Sequence, residues 1–87
     1  MWQIVYTAKF LKSAKRLPKQ TKQKLAQKLE VLRLDPFNLL LHTKTLSGTL
    51  AGFYSFRITR DWRVIFYFIV NKQIKIIEVA HRKDIYR

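Results

Sequence analysis

Apolar and polar positions alternate along this chain with a period that changes from two to helical and back again. Trp2-Gln3-Ile4-Val5-Tyr6 is short, β-branched and aromatic, the pattern of a strand, and Thr7 after it is a candidate helix N-cap. From Ala8, the apolar residues Phe10, Leu11, Ala14 and Leu17 recur at helical spacing with Lys9, Lys12, Lys15 and Arg16 between them, which predicts an amphipathic basic helix. Pro18 stops it, because proline lacks an N–H and its ring collides with the preceding turn. The same residue suits the first turn of a second helix, whose stripe is Leu25, Leu29 and Leu32 with Ala26 beside it. That helix should end near Leu34, since Asp35 precedes Pro36 and is biased out of the helical region. Two successive helices make a hairpin.

Residues 37–51 mix Leu39-Leu40-Leu41 with polar residues and Gly48, and carry no regular period; Leu46, Leu50 and the leucine run are expected to cover the end of the core. From Gly52 the period is two, with Tyr54, Phe56 and Ile58 on one face and Phe53, Ser55, Arg57 and Thr59 on the other. Arg63–Val70 is apolar on both faces, as a central strand is, and Ile74–Ala80 follows after the turn residues Asn71-Lys72. The expected fold is a single α+β domain over residues 1–87, ordered β-α-α-β-β-β. It has an antiparallel sheet, the N-terminal strand added to it, and the helical hairpin packed on one face.

Face parity then bears on chemistry. A two-residue turn at Asn71-Lys72 sets Arg63 opposite Ala80, Ile65 opposite Glu78 and Trp62 opposite His81, so that Arg63 and Glu78 share a face. An odd loop between the preceding strands, such as Arg60-Asp61-Trp62, brings Arg57 to that face as well, whereas an even loop sends it to the other; the odd loop is the reading adopted. On residue type alone, Arg57 is a solvated strand residue, Arg63 an ion pair with Glu78 or Asp61, His81 a terminal polar residue and Tyr86 packing. Trp2 and Trp62 are core or a lid on it, and His42 is structural.

Composition narrows the classes of function. The chain is 48% hydrophobic and 14% aromatic, too apolar for a disordered basic tail, so it should fold. With no Cys and two widely spaced His, neither disulfides nor a zinc site is expected, and no cofactor or metal is implied. The N-terminus has no apolar signal-peptide core, and the longest apolar run is far shorter than the roughly 18 residues of a spanning helix, which places the protein in the cytoplasm and off the membrane. Eighteen Lys and Arg against five Asp and Glu give a net charge of +13, which makes nucleic acid the leading partner class and an acidic protein segment the second.

Three stretches together resemble the RelE/ParE family of bacterial toxins from toxin–antitoxin modules: Leu46-Ser47-Gly48; Gly52 through Tyr67, with its Arg-Ile-Thr and Arg-Val-Ile-Phe; and the closing Val79 through Arg87, with its His-Arg-Lys-Asp-Ile-Tyr. The likeness spans essentially the whole chain, strand and helix order included. It implies one of two activities. RelE- and YoeB-like members cleave mRNA in the ribosomal A site on a concave sheet surface, and ParE-like members share the fold but poison DNA gyrase. A degenerate member that only binds antitoxin is a third possibility.

Carried over by position, the resemblance makes Arg57, Arg63, His81 and Tyr86 the catalytic set of a metal-independent endoribonuclease, with Lys44, Arg60, Arg82 and Lys83 as RNA contacts. Ser55 stands where some members have a lysine, and Lys44 or Thr45 where YoeB-like members have a glutamate base, so the general base is left open. Such an enzyme needs a base for the ribose 2′-OH, cations for the phosphorane charge and an acid for the leaving 5′-oxygen. Arg57 and Arg63 suit the second need, because a guanidinium stays charged and can hold two phosphate oxygens at once. His81 is the expected proton carrier, and Tyr86 orients or stacks the nucleotide. The partners implied are ribosome, mRNA and a cognate acidic antitoxin in a hetero-oligomer.

Overall fold

A single hydroxyl joins the first strand to the first helix and ties both to the end of the sheet. Thr7 Oγ1 accepts from the N–H of Phe10 at 3.1 Å, capping α1 (Ala8–Lys15), and donates to the C=O of Ile77 at 2.8 Å. The structure, a computed structural model, describes residues 1–85. β1 (Gln3–Tyr6) precedes α1, and α2 (Lys19–Leu34) follows it, with Pro18 as the extended N-cap residue. Asp35 leaves the helical region (φ −155°, ψ 101°), as the proline after it requires.

Residues 37–51, aperiodic in sequence, form two one-turn 3₁₀ helices, Leu39–Leu41 and Gly48–Leu50, around a short strand β2 (Lys44–Thr45). Gly48 (φ 66°) opens the second of these turns in the left-handed region, which glycine enters without a Cβ penalty. The expectation that the leucine run covers the core holds for Leu41, which is fully buried. Leu39 and Leu40 are exposed, because a three-residue turn aims one side chain in three at the core. Leu11 is likewise exposed on α1. That helix lies along the edge of the sheet, so its buried arc is narrow and is filled by Phe10.

β3 (Tyr54–Arg57), β4 (Trp62–Ile69) and β5 (Gln73–His81) form the expected antiparallel meander, and α3 (Arg82–Ile85) closes the described chain. The sheet order is β1-β5-β4-β3-β2, with β4 in the centre. β1 adds to β5 in parallel, Gln3 opposite Gln73 through Tyr6 opposite Ile76.

Both hairpin turns sit one residue from where the sequence suggested. Ile58 N–H bonds Trp62 C=O at 2.9 Å, so the β3–β4 tip is Thr59–Asp61 rather than Arg60–Trp62. It remains odd, and Arg57 lies directly opposite Arg63. At the other hairpin Ile69 pairs with Gln73, which adds Val70 to the Asn71-Lys72 turn. The ladder then slips between Ile65 and Phe66: Ile65 faces Glu78 while Phe66 faces Ile76, and Ile77 is the extra residue of a bulge. The bulge cancels the longer turn, and Arg63/Ala80, Ile65/Glu78 and Trp62/His81 pair as expected.

One face of the sheet is the core. Phe56, Ile58, Val64, Phe66, Ile74, Ile76 and Val79 meet Phe10 of α1, Leu17 ahead of Pro18, and Leu25 and Leu32 of α2. Trp2 and Phe68 pack at 5.2 Å between ring centroids, and Phe37 stacks on Phe68 at 5.7 Å.

Candidate functional site

Alternation along the strands puts a different set of residues on the face away from the helices. Two cross-strand rows can be traced there. One runs Lys44–Ser55–Ile65–Glu78, and the next runs Arg57–Arg63–Ala80. Lys44 is therefore brought to the same face as both arginines, beside Ser55.

The two arginines differ in what holds them. Arg63 is 8% exposed, and its Nη1 donates to the C=O of Thr59 and of Arg60, each at 2.8 Å. It clamps the β3–β4 turn, and this corrects the expectation of an ion pair. Glu78 instead pairs with Lys9 at 3.2 Å, and Asp61 with Arg82 at 3.5 Å. Arg57 is half-buried, and its Nε is fully enclosed without a hydrogen-bond partner among the described residues. Two guanidinium groups on directly opposed residues repel each other, and an enclosed N–H donor without an acceptor is costly. An anion seated between them relieves the repulsion.

His81 is placed differently. Its partner Trp62 has the parity of Val64 and Phe66, so the register assigns His81 to the helix side of the sheet at the strand end, one residue out of phase with Ala80 and Arg63. Its ring lies edge-on to Trp62, 5.2 Å between centroids. The N–H of Lys83 donates to His81 Nδ1 at 3.2 Å, which makes Nδ1 an acceptor and leaves the proton of the neutral ring on Nε2. The structure thus brings Arg57, Arg63 and Lys44 together and sets His81 at the end of the same sheet, off their face. Arg60 is exposed at the turn tip, and Arg82 and Lys83 open α3. Tyr86 lies outside the described residues.

Sequence reasoning missed the seam between α1 and β5. Beyond Ile76 the outer edge of β5 has no strand beside it among the described residues, and α1 and its N-cap supply hydroxyls instead: Thr7 to Ile77 C=O, and Ser13 Oγ accepting from Val79 N–H at 3.0 Å while donating to Phe10 C=O at 3.0 Å. A serine within a short helix, where it lowers helix propensity, was the available signal. Among the described residues no three His, Cys, Asp or Glu side chains gather as a metal site would require, and no helix is long and apolar enough to cross a membrane.

This architecture matches known proteins. The family model described as the ParE toxin of type II toxin–antitoxin system, parDE, matches residues 4–86, and the chain belongs to that family. It is a toxin of a type II toxin–antitoxin system. Among solved structures it resembles YafQ from E. coli, with a TM-score of 0.79, 19% identity and all of both chains covered. It also resembles the archaeal RelE–RelB complex from Pyrococcus horikoshii, with a TM-score of 0.78, 24% identity, and 93% of this chain and 94% of that chain covered. A third is the toxin–antitoxin complex RelBE2 from Mycobacterium tuberculosis, with a TM-score of 0.77, 20% identity, and 93% and 98% covered. At these identities the likeness establishes the RelE-like fold. No curated protein matches the sequence.

Proposed function

We propose that this toxin is a ribosome-dependent endoribonuclease that cleaves mRNA by attack of a ribose 2′-OH on the adjacent phosphate, and so arrests translation. The observation that carries the reading is the Arg57–Arg63 pair, directly opposed on the sheet face away from the helices, with Lys44 on the same face. That is an arrangement that gains from a phosphate. Arg57 is the contact to the scissile phosphate, and Arg63 sets the turn and adds its field. His81, whose Nδ1 accepts from the N–H of Lys83, is the proton carrier at the strand end, and Tyr86 stacks or orients the nucleotide. Arg60, Arg82, Lys83 and Lys44 take RNA phosphates, which release counterions and make binding fall steeply with salt.

The partner in the cell is a cognate acidic antitoxin, in a hetero-oligomer of the kind named in the RelE–RelB structures, and the setting is the cytoplasm. The charge of +13 favours an acidic, partly disordered segment as the surface that covers the basic face. A second reading, inhibition of DNA gyrase without catalysis, is favoured by one observation: the matching family model is that of ParE.

The two readings separate in one experiment. Purified protein is added to ribosomes programmed with mRNA and cleavage is mapped, beside Arg57→Ala and His81→Ala, while gyrase supercoiling is assayed in parallel. Cleavage that fades in both variants is expected. Intact mRNA with inhibited supercoiling would overturn the nuclease reading in favour of the other.

A further inference from the structure

An open groove of about 330 Å³ lies where β5, the C-terminal end of α1 and α3 meet, lined among others by Arg16, Leu17, Trp62, Glu78, Val79 and His81. It sits at the strand's outer edge and touches the row that carries Arg57 and Arg63 at its last member, Ala80.

The hydrogen bonds around it establish what that edge offers. Val79 N–H points outward to Ser13, and Arg82 N–H bonds Asp61 C=O at 2.8 Å across the sheet. In an antiparallel ladder the bonding direction alternates residue by residue, so Val79 and His81 direct their backbone groups away from β4. Thr7 satisfies Ile77 C=O and Ser13 satisfies Val79 N–H. The next outward pair, Val79 C=O and His81 N–H, has no partner among the described residues and faces the groove. Two residues later the chain has turned into α3. What is open is one acceptor and one donor, side by side.

We infer that this groove binds a purine nucleotide, with the base edge on Val79 C=O and His81 N–H, its ring against Trp62, and its phosphate at Arg16. A strand from another protein would need a longer run of free edge than one pair. A nucleobase presents adjacent donor and acceptor atoms on one edge and a flat face to stack, and the exposed guanidinium of Arg16 at the rim matches a phosphate. The volume is that of a small-ligand site, and the larger ring of a purine covers more of the indole than a pyrimidine does. Glu78, held by Lys9, adds an acceptor for a base amino group. The inference goes beyond the nuclease reading, and mononucleotide binding is measured without ribosomes or cleavage, so the two stand or fall separately.

The test uses the full chain carrying Trp2→Phe, which leaves Trp62 as the sole tryptophan emitter. AMP, GMP, UMP and ribose 5-phosphate are titrated while Trp62 fluorescence and the His81 backbone amide resonance are followed. AMP and GMP should quench the indole and shift the amide, UMP should bind about tenfold more weakly, and ribose 5-phosphate should do neither. Arg16→Gln, a change at an exposed helix end, should weaken AMP but leave adenosine unchanged. A purine trinucleotide that binds more tightly than AMP assigns the base to an RNA strand, and equal binding assigns it to a free nucleotide; either supports the site. No response to AMP and GMP, or the same response to ribose 5-phosphate, overturns it.

Discussion

The two faces of the central strands are drawn from alternate residues of one backbone and respond to opposite demands. Toward the helices, Val64, Phe66 and Phe56 are fully buried among other apolar side chains. On the other side the same strands carry Arg63, Arg57 and Ser55, and β2 adds Lys44. The difference separates stability from binding: the first face gains from every apolar contact, while the second holds like charges together that only an anion can relieve. Arg63 crosses this division, because its charge faces outward while its guanidinium is bound to backbone carbonyls of the turn.

The sharpest way to break the comparison is to alter each face in turn. Phe66→Ala, which empties a fully buried site against Tyr54, Phe56 and Phe68, should cost about 3–5 kcal/mol in denaturant unfolding. Arg57→Ala should leave the unfolding midpoint unchanged or raise it, since it removes an unpartnered donor and a repelling charge, while mRNA cleavage falls by about 10²–10³. A large loss of stability in Arg57→Ala would mean that both faces hold the fold together. Arg63→Ala should lower stability by about 1–3 kcal/mol, because two carbonyls of the β3–β4 turn lose the part-buried donor that clamps them; Arg63→Lys, which keeps the charge but not the fork, should recover little of it.

The smallest effect lies outside both faces. The Arg33 guanidinium, hydrogen-bonded to Glu30 at 2.6 Å, holds that carboxyl below its ordinary value of 4.5. A carboxylate lowered by folding contributes stability that is present above its unfolded pKa and is lost as pH falls through the folded one. The contribution should therefore fade only below about pH 4.5, and Glu30→Gln should flatten that part of the stability–pH curve slightly.

Much of this organisation could be read from residue pattern because it depends on local rules. Thr7 as a cap, Pro18 between the helices, Asp35 at the helix end and the period-two alternation of β3 are set by neighbours within a few positions. The shared face of Arg57 and Arg63 depended only on an odd loop, so it survived a turn misplaced by one residue. The pairing of Arg63 with Ala80 survived for a different reason, the bulge at Ile77, which no pattern announces. What stayed hidden had two sources. The Arg63 clamp and the exposure of Leu39 and Leu40 are local, but they follow from turn geometries that no apolar period marks; the hydroxyls that seal β5 are set by distant contacts, sixty-six and seventy positions apart in the chain. The resemblance supplied His81 as a candidate, while the expected pairing of Trp62 with His81 and of Arg63 with Ala80 already set it one residue out of phase with the arginines, as the register does.

The parallel docking of β1 on β5 has a consequence for how the molecule comes into being. Gln3 waits for Gln73, so the sheet closes only after nearly the whole polypeptide has been synthesised, and a nascent chain halted earlier leaves its first strand unmated. Translation of this toxin therefore contains its own delay: harm becomes possible only once the last strand has left the ribosome that made it.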